Sequence, residues 1–345
     1  MKAAVYQGIE HIDIVEVPDP VCPEDGLLVR VESCGLCGSE VRTFYAGTAY
    51  HSPGRILGHE AAGTVIQVGP NATGFQVGDR LAMGPVVPCN ECFYCQRGLQ
   101  NLCENRYPGH FPQAFAQLTA VPAEVIRRGC VVPIPDDLSF DGATLAEPLS
   151  SVLKAHLMIN TSVGDTVVVM GAGPIGNMHV QMARLQGATK IIQTELIAER
   201  LEMARPFGAD VFINASQEDA EARILAETGK RGADIVISAT PSTKAAAEAL
   251  KYSRKGGKVV WFGGLPSTDP MITVDGNLVH YRDLVIYGSI GFAPRHYRLA
   301  LELIASRKID PALYITGTLP LEGIVEGMET MKAGKAIKLA IRPNG

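Results

Sequence analysis

The sequence predicts an α/β protein in which a doubly wound parallel sheet stands beside a second, irregular β-barrel domain. Three observations predict it. Short period-2 segments broken by Gly and Pro run to about residue 150, strand and helix patterns alternate from about residue 160, and a glycine turn, "GAGPIG", sits at the first strand-to-helix junction. With 345 residues and 46% hydrophobic side chains, the chain has material for two real cores.

In chain order, "KAAVYQG" and "IDIVEVP" form an expected strand pair, followed by "LLVRVESCG", "AAGTVIQVG", "DRLAMGP" and "FAQLTAVP". Most alternate apolar and polar residues and end at Gly or Pro, the pattern of half-buried strands in a barrel or sandwich. Then "TVVVMG" leads into "PIGNMHVQMARLQG", "KIIQTE" into "IAERLEMARPFG" and "DIVISAT" into "TKAAAEALKYS", with "KVVWFGG" after them. Parallel strands need crossover connections of this kind, and the connections cover both faces of the sheet with helices. After "LVIYGSIG" the segment "YRLALELIAS" reads as an amphipathic helix; the tail ending in "AIKLAIRP" is too short to be a domain and is expected to pack back onto the first one. The expected units are residues 1–153, 154–292, and a return segment 293–345 that completes the first unit.

Charged residues are 19% of the chain and the net charge is −5, with no basic block or stripe, so the electrostatic footprint of a nucleic-acid binder is missing. The opening "MKAAVYQGIEHIDIVEVPDP" lacks the continuous apolar run of a signal peptide. No apolar stretch approaches the roughly 18 residues of a membrane span. A cytoplasmic protein with neither a membrane nor a nucleic-acid partner is expected.

Eight cysteines are present, and four of them, Cys89, Cys92, Cys95 and Cys103, crowd into "PCNECFYCQRGLQNLC". Without an export signal, such spacing points to metal binding or catalysis before disulfides. Four thiolates satisfy tetrahedral Zn²⁺ completely and leave no open position, so this lobe, about residues 88–104, reads as a structural zinc site. An iron–sulfur cluster and free thiols are the competing readings; the fourth cysteine comes too late for the compact ferredoxin run.

"GAGPIG" follows a strand and opens a helix, the context that gives a lone G-x-G-x-x-G its meaning. Gly171 permits the tight turn, Gly173 lets the backbone approach a pyrophosphate and Gly176 lets helix press on strand, with Pro174 and Ile175 at the helix start. Glu195, at the end of the second strand, is placed to accept hydrogen bonds from the adenosine ribose and to repel a 2′-phosphate, which favours NAD. Arg200 is either a stacking partner for adenine or part of a solvated helix face.

Taken together, "GLCGSE" (35–40), "GHEAAGTVIQVG" (58–69), the cysteine lobe, "EPLSS" (147–151) and "GAGPIG" resemble the medium-chain zinc-dependent dehydrogenase/reductase superfamily, over essentially the whole chain. Within it the sequence is most similar to the polyol branch, the sorbitol and L-iditol dehydrogenases. The resemblance implies a GroES-like catalytic barrel, a Rossmann domain, a homodimer or homotetramer, and reversible oxidation of a secondary alcohol of a polyol or sugar with NAD. It also implies a catalytic zinc held by Cys37, His59, Glu60 and Glu147, and cofactor contacts from Phe262, Gly263, Ser289 and Ile290. Cys34 also completes a C-x-x-C with Cys37, but without a thioredoxin-like context it reads as a buried apolar residue. Threonine-dehydrogenase-like and sugar-phosphate dehydrogenases are the alternative enzymes, and a nucleotide-binding relative without metal chemistry is the non-enzyme alternative.

By the same resemblance, Ser39 hydrogen-bonds the substrate oxygen, and Glu40 stands where a carboxylate orients a zinc histidine. Two positions depart from the pattern. Arg42, permanently charged, occupies the place of a proton-relay histidine; His51 is the candidate substitute, with exit through ribose and water as the alternative. Gly291 takes the place of a substrate-binding arginine, and Arg42 with Arg55 raises the case of an anionic sugar.

Overall fold

The computed structural model describes residues 1–48, 52–107 and 110–345. It divides into two compact units: Met1–Ser150 with Phe292–Gly345, and Ser151–Gly291. These divisions fall three residues and one residue from the boundaries expected at 153 and 292.

In the first unit a seven-stranded sheet is built around Leu27–Gly35, which pairs antiparallel with Glu60–Val68, with Leu118–Val121 and, through Cys34 and Gly35, with Lys338–Arg342. The return segment thus inserts a strand into a sheet begun some 300 residues earlier in the chain, and Ile315–Pro320 adds one more beside it. Leu27, Val29, Val31, Val65, Leu81 and Phe115 are fully buried, and their faces meet in one core with Leu321, Ile324 and Met328 from the return segment. Lys2–Gly8 and His11–Glu16 form the expected antiparallel pair in a separate three-stranded sheet.

The second unit holds a six-stranded parallel sheet. In chain order its strands are Thr166–Met170, Lys190–Glu195, Val211–Asn214, Ala233–Ser238, Ser253–Trp261 and Val285–Gly288. In space the third, second, first, fourth, fifth and sixth lie side by side, so the order reverses direction beside the first strand. That reversal opens a crevice at the carboxyl ends of the first and fourth strands, the usual ligand position in doubly wound sheets. Thr166–Met170 is a β-branched run buried almost throughout, as a central strand covered on both faces requires.

Candidate active site and metal centres

Cys37 ends the loop after strand Leu27–Gly35 and is the N-cap of helix Gly38–Ala46. Glu40, third in that helix, turns back so that one carboxylate oxygen accepts the Cys37 N–H at 3.0 Å; this closes one half of a capping box. Its other oxygen accepts the Gly58 N–H at 2.8 Å and lies 3.0 Å from His59 Nδ1. Glu40 is only 2% exposed. Burial opposes its charge, but His59, the Cys37 N–H and Lys338 together hold it below the usual carboxylate range. An ionised Glu40 accepts a proton-bearing Nδ1, which leaves His59 Nε2 as the donor toward a metal.

Ligand atoms of Cys37, His59 and Glu60 lie within 4.8 Å of one another. An ion with ligand distances of about 2.0–2.3 Å holds its donors at most about 4.5 Å apart, so the three fit one Zn²⁺ with small adjustment. A thiolate, an imidazole and a carboxylate also make a donor set that suits zinc and leaves room for a further ligand. Glu147, in the first turn of helix Ala146–Ile159, stands outside this close trio. It remains in the same electrostatic neighbourhood: burial first, with Glu60 and Glu40 adding, pushes its carboxyl up to about 7 against the pull of His59 and Lys338. Ser39 occupies the first turn of the helix that Cys37 caps, half-buried.

Lys338 escaped the sequence reading. Its ammonium lies 2.6 Å and 2.5 Å from the two oxygens of Glu60, with both side chains almost wholly buried. Burial works against its charge, yet Glu60 and the other anions of the site hold its pKa above the ordinary lysine value. The pair joins strand Glu60–Val68 to the return segment across 278 positions of sequence, a distance at which no local pattern signals a partner.

A cavity of about 240 Å³ opens beside this centre; Glu40, His59, Pro85, His110, Phe111 and Gln113 contribute to its walls. Arg42 and Arg55 do not line it, and Arg55 donates instead to the Ser52 hydroxyl. His51 lies outside the described residues. Cys34 is completely buried, and burial pushes its thiol well up, in keeping with a small apolar role.

The four lobe cysteines converge, with Sγ–Sγ separations of 3.5 Å between Cys89 and Cys103 and 3.9 Å for Cys89–Cys95 and Cys92–Cys103. Disulfides would need about 2.0 Å, whereas tetrahedral zinc with 2.3 Å bonds places its sulfurs about 3.8 Å apart. Backbone N–H groups of Glu91 and Cys92 point at Cys89 Sγ, and that of Cys89 points at Cys103 Sγ. The N–H groups of Cys95 and Glu104 hold the Cys92 thiol down to about 6, while burial pushes Cys95 up to about 12. Four thiolates at this spacing need a cation.

In the second unit Gly171 has φ +115, and a Cβ at Gly176 would stand 2.0 Å from the Gly171 carbonyl oxygen, so the turn and the helix contact both demand glycine. A Cβ at Gly173 meets nothing within 4 Å; it would project into the space a pyrophosphate fills. A cavity of about 570 Å³ extends from Gly171 and Gly173 past Glu195 and Arg200 to Thr240 and Tyr252. Glu195 is fixed at its edge by N–H groups of Ala172 at 2.9 Å and Leu196 at 2.7 Å. The residues present therefore fit a dinucleotide. Pro174, Ile175, Gly176, Phe262, Gly263, Ser289 and Ile290 do not line this cavity; the Phe262 ring meets His179 edge-on at 4.5 Å, and Ile290 is 67% exposed.

Residues 23–136 match the alcohol dehydrogenase GroES-like domain, and residues 174–306 match the zinc-binding dehydrogenase family. The chain is 34% identical to a sorbitol dehydrogenase of Bacillus subtilis, covering 100% of this chain and 98% of that one. It is 30% identical to an erythritol/L-threitol dehydrogenase of Mycolicibacterium smegmatis, covering 99% and 98%. Among solved structures, alcohol dehydrogenase TADH from Thermus sp. ATN1 superposes with a TM-score of 0.85 at 32% identity, over 99% of both chains. With two metal-fitting centres, a dinucleotide crevice and these likenesses over its full length, the chain belongs to the zinc-dependent medium-chain polyol dehydrogenase family.

Proposed function

We propose that this enzyme oxidises a secondary alcohol of a polyol or sugar reversibly to the ketone, with NAD. The observation that carries the reading is the convergence of Cys37, His59 and Glu60 beside a cavity that His59 lines, in a chain that also keeps a complete dinucleotide turn. We assign Cys37, His59 and Glu60 to the catalytic zinc, Glu147 to its outer edge, and Cys89, Cys92, Cys95 and Cys103 to a structural zinc. When bound, zinc supplies the acidity that an alcohol lacks at neutral pH, and NAD supplies the hydride acceptor.

The chain's own residues prepare these events. Glu40 fixes the tautomer and tilt of His59 and ties it to the Cys37 turn, so two donors are set by one buried carboxylate. Lys338 reaches both oxygens of Glu60 in a dry setting and holds that carboxylate in place. We assign Ser39 to take the hydroxyl proton, and Glu147, raised to about 7, sits near the pH at which a carboxyl exchanges protons. With neither arginine lining the cavity, an uncharged sugar alcohol is favoured over a phosphorylated one. We expect a cytoplasmic homodimer or homotetramer.

The test is NADH formation from a panel of polyols, sugar phosphates, threonine and simple alcohols, alongside elemental analysis. About two zinc ions per chain and turnover of polyols are expected. Zinc-replete enzyme that makes NADH from no alcohol overturns the reading.

A further inference from the structure

We propose that Gln193 and Asn177 hold the glycine turn in the shape that receives the pyrophosphate, so that two buried amides outside the crevice set how tightly the dinucleotide binds. The inference rests on the dinucleotide reading above. Both side chains are fully buried, and neither lines the crevice. Gln193 Nε2 donates to the Gly171 carbonyl at 3.1 Å and to Asn177 Oδ1 at 2.8 Å, and Asn177 Nδ2 reaches the Ala172 carbonyl at 3.5 Å. A carbonyl can only accept, so Gly171 fixes which end of the Gln193 amide faces it, and Gln193 in turn fixes Asn177.

Each of these two carbonyls belongs to a trans peptide unit, whose N–H points the opposite way. The Gly171–Ala172 unit is gripped at both ends: Gln193 donates to its carbonyl, and Glu195 accepts its N–H at 2.9 Å. Gln193 and Glu195 stand two apart on strand Lys190–Glu195, hence on one face of the sheet. Between them the Thr194 carbonyl accepts the Gly171 N–H at 2.8 Å. Three consecutive residues of the second strand therefore fix the turn, and the carboxylate at the ribose position is tied through one peptide to the amide beneath it. In the Ala172–Gly173 unit the carbonyl faces Asn177, which turns the Gly173 N–H away from that buried side chain, and Gly173 itself lines the crevice. An N–H already aimed needs no reorientation when an anion arrives. Gln193 Oε1 is buried and meets no donor among the described residues. A buried acceptor left so costs stability, which sets Gln193 apart from a side chain kept for packing alone.

The experiment measures NADH binding by fluorescence titration on the zinc-loaded full chain, with kcat at saturating NAD on the best alcohol of the panel above. Gln193→Met keeps the unbranched stem and should weaken NADH binding about tenfold while kcat stays within about twofold. Combined with Glu195→Gln, it should fall short of the product of the single effects by at least about threefold, because both side chains grip one peptide. Thr228→Val is the control: it removes buried hydrogen bonds to Ile224 and Gly232, away from the crevice, and should leave NADH binding unchanged. Asn177→Leu, which loses the longer contact, should weaken binding about threefold and serves if Gln193→Met fails to fold. Unchanged NADH binding in the amide variant, an equal loss in Thr228→Val, or independent effects in the double variant overturns the proposal. A wild-type chain that binds neither NADH nor NADPH instead overturns the dinucleotide reading itself, before any variant is made.

Discussion

Replacing Lys338 by Met tests the buried charge balance of the metal centre. The substitution preserves an unbranched stem of similar length, so little cavity opens and the main change is the lost ammonium. Glu60, 0% exposed, then loses the ammonium that lay 2.5 Å from its oxygen, and in protein stripped of its catalytic ion no metal takes that place. Breaking a buried pair from one side costs about 3–5 kcal/mol, because the surviving charge stays desolvated. In a folding unit of this size each kcal/mol moves Tm by about 2–4 °C, so a drop on the order of 10 °C is expected by differential scanning fluorimetry. Zinc content should fall as well, since Glu60 loses its fixed position. The double variant Lys338→Met with Glu60→Gln removes both charges and should regain a large part of the lost Tm. A single-variant shift below about 2 °C, or a double variant less stable than the single one, would refute the reasoning.

The two metal centres should separate by mutation: Cys37→Ser keeps fold and NAD binding but loses about one zinc and all turnover, whereas Cys103→Ser loses about one zinc together with solubility or assembly, both read by elemental analysis and gel filtration. Glu195→Gln removes the charge that repels a 2′-phosphate and should raise the NADP to NAD ratio of kcat/KM by about tenfold or more in steady-state assays. The buried pair His156 and His179 gives a pH prediction. Gln186 Oε1 lies 2.9 Å from His156 Nδ1, and His156 Nε2 lies 3.1 Å from His179 Nδ1. One relay of donors, His156 to Gln186 and His179 to His156, satisfies both contacts with neutral rings and leaves the unprotonated His179 Nε2 buried without a donor. Burial lowers His156 to about 4 and His179 well below the usual value, the latter helped by His156. Both folded-state values lie below the unfolded one near 6.5, so the stabilisation is complete above that pH and is lost as pH falls toward 4 and below. For His156 alone this is about 3 kcal/mol. Urea unfolding from pH 7 to 4.5 should show the slope, and replacing both histidines by Leu should flatten it.

Much of the fold could be read in advance because its signals are local. The run "TVVVM" must be a buried strand, and "GAGPIG" after it must turn, because Gly176 has no room for a side chain. Cys89 to Cys103 span fourteen positions, so spacing alone marked them as one cluster, and their sulfurs do converge. Glu147 was harder: "AEP" marks the residue, but how far the first turn of helix Ala146–Ile159 carries its carboxylate from Cys37 depends on packing between elements distant in sequence. Lys338 was one polar residue in the short tail ending "AIKLAIRP", whereas its strand is buried at four of five positions. His110 and Gln113 lie in a stretch without periodicity, where hydrogen bonds to Leu57 and Gly58 decide the geometry and no propensity does.

The strand Lys338–Arg342 carries a further implication for biosynthesis. Until it emerges from the ribosome, the sheet beside Cys34 and Gly35 has an open edge and Glu60 lacks its counter-ion, while residues 151–291 already hold every strand of their own sheet. The nascent chain therefore meets its cofactor-binding half as a finished module first and matures its metal pocket last, which makes the carboxyl end, rather than the amino end, the step that commits the molecule to activity.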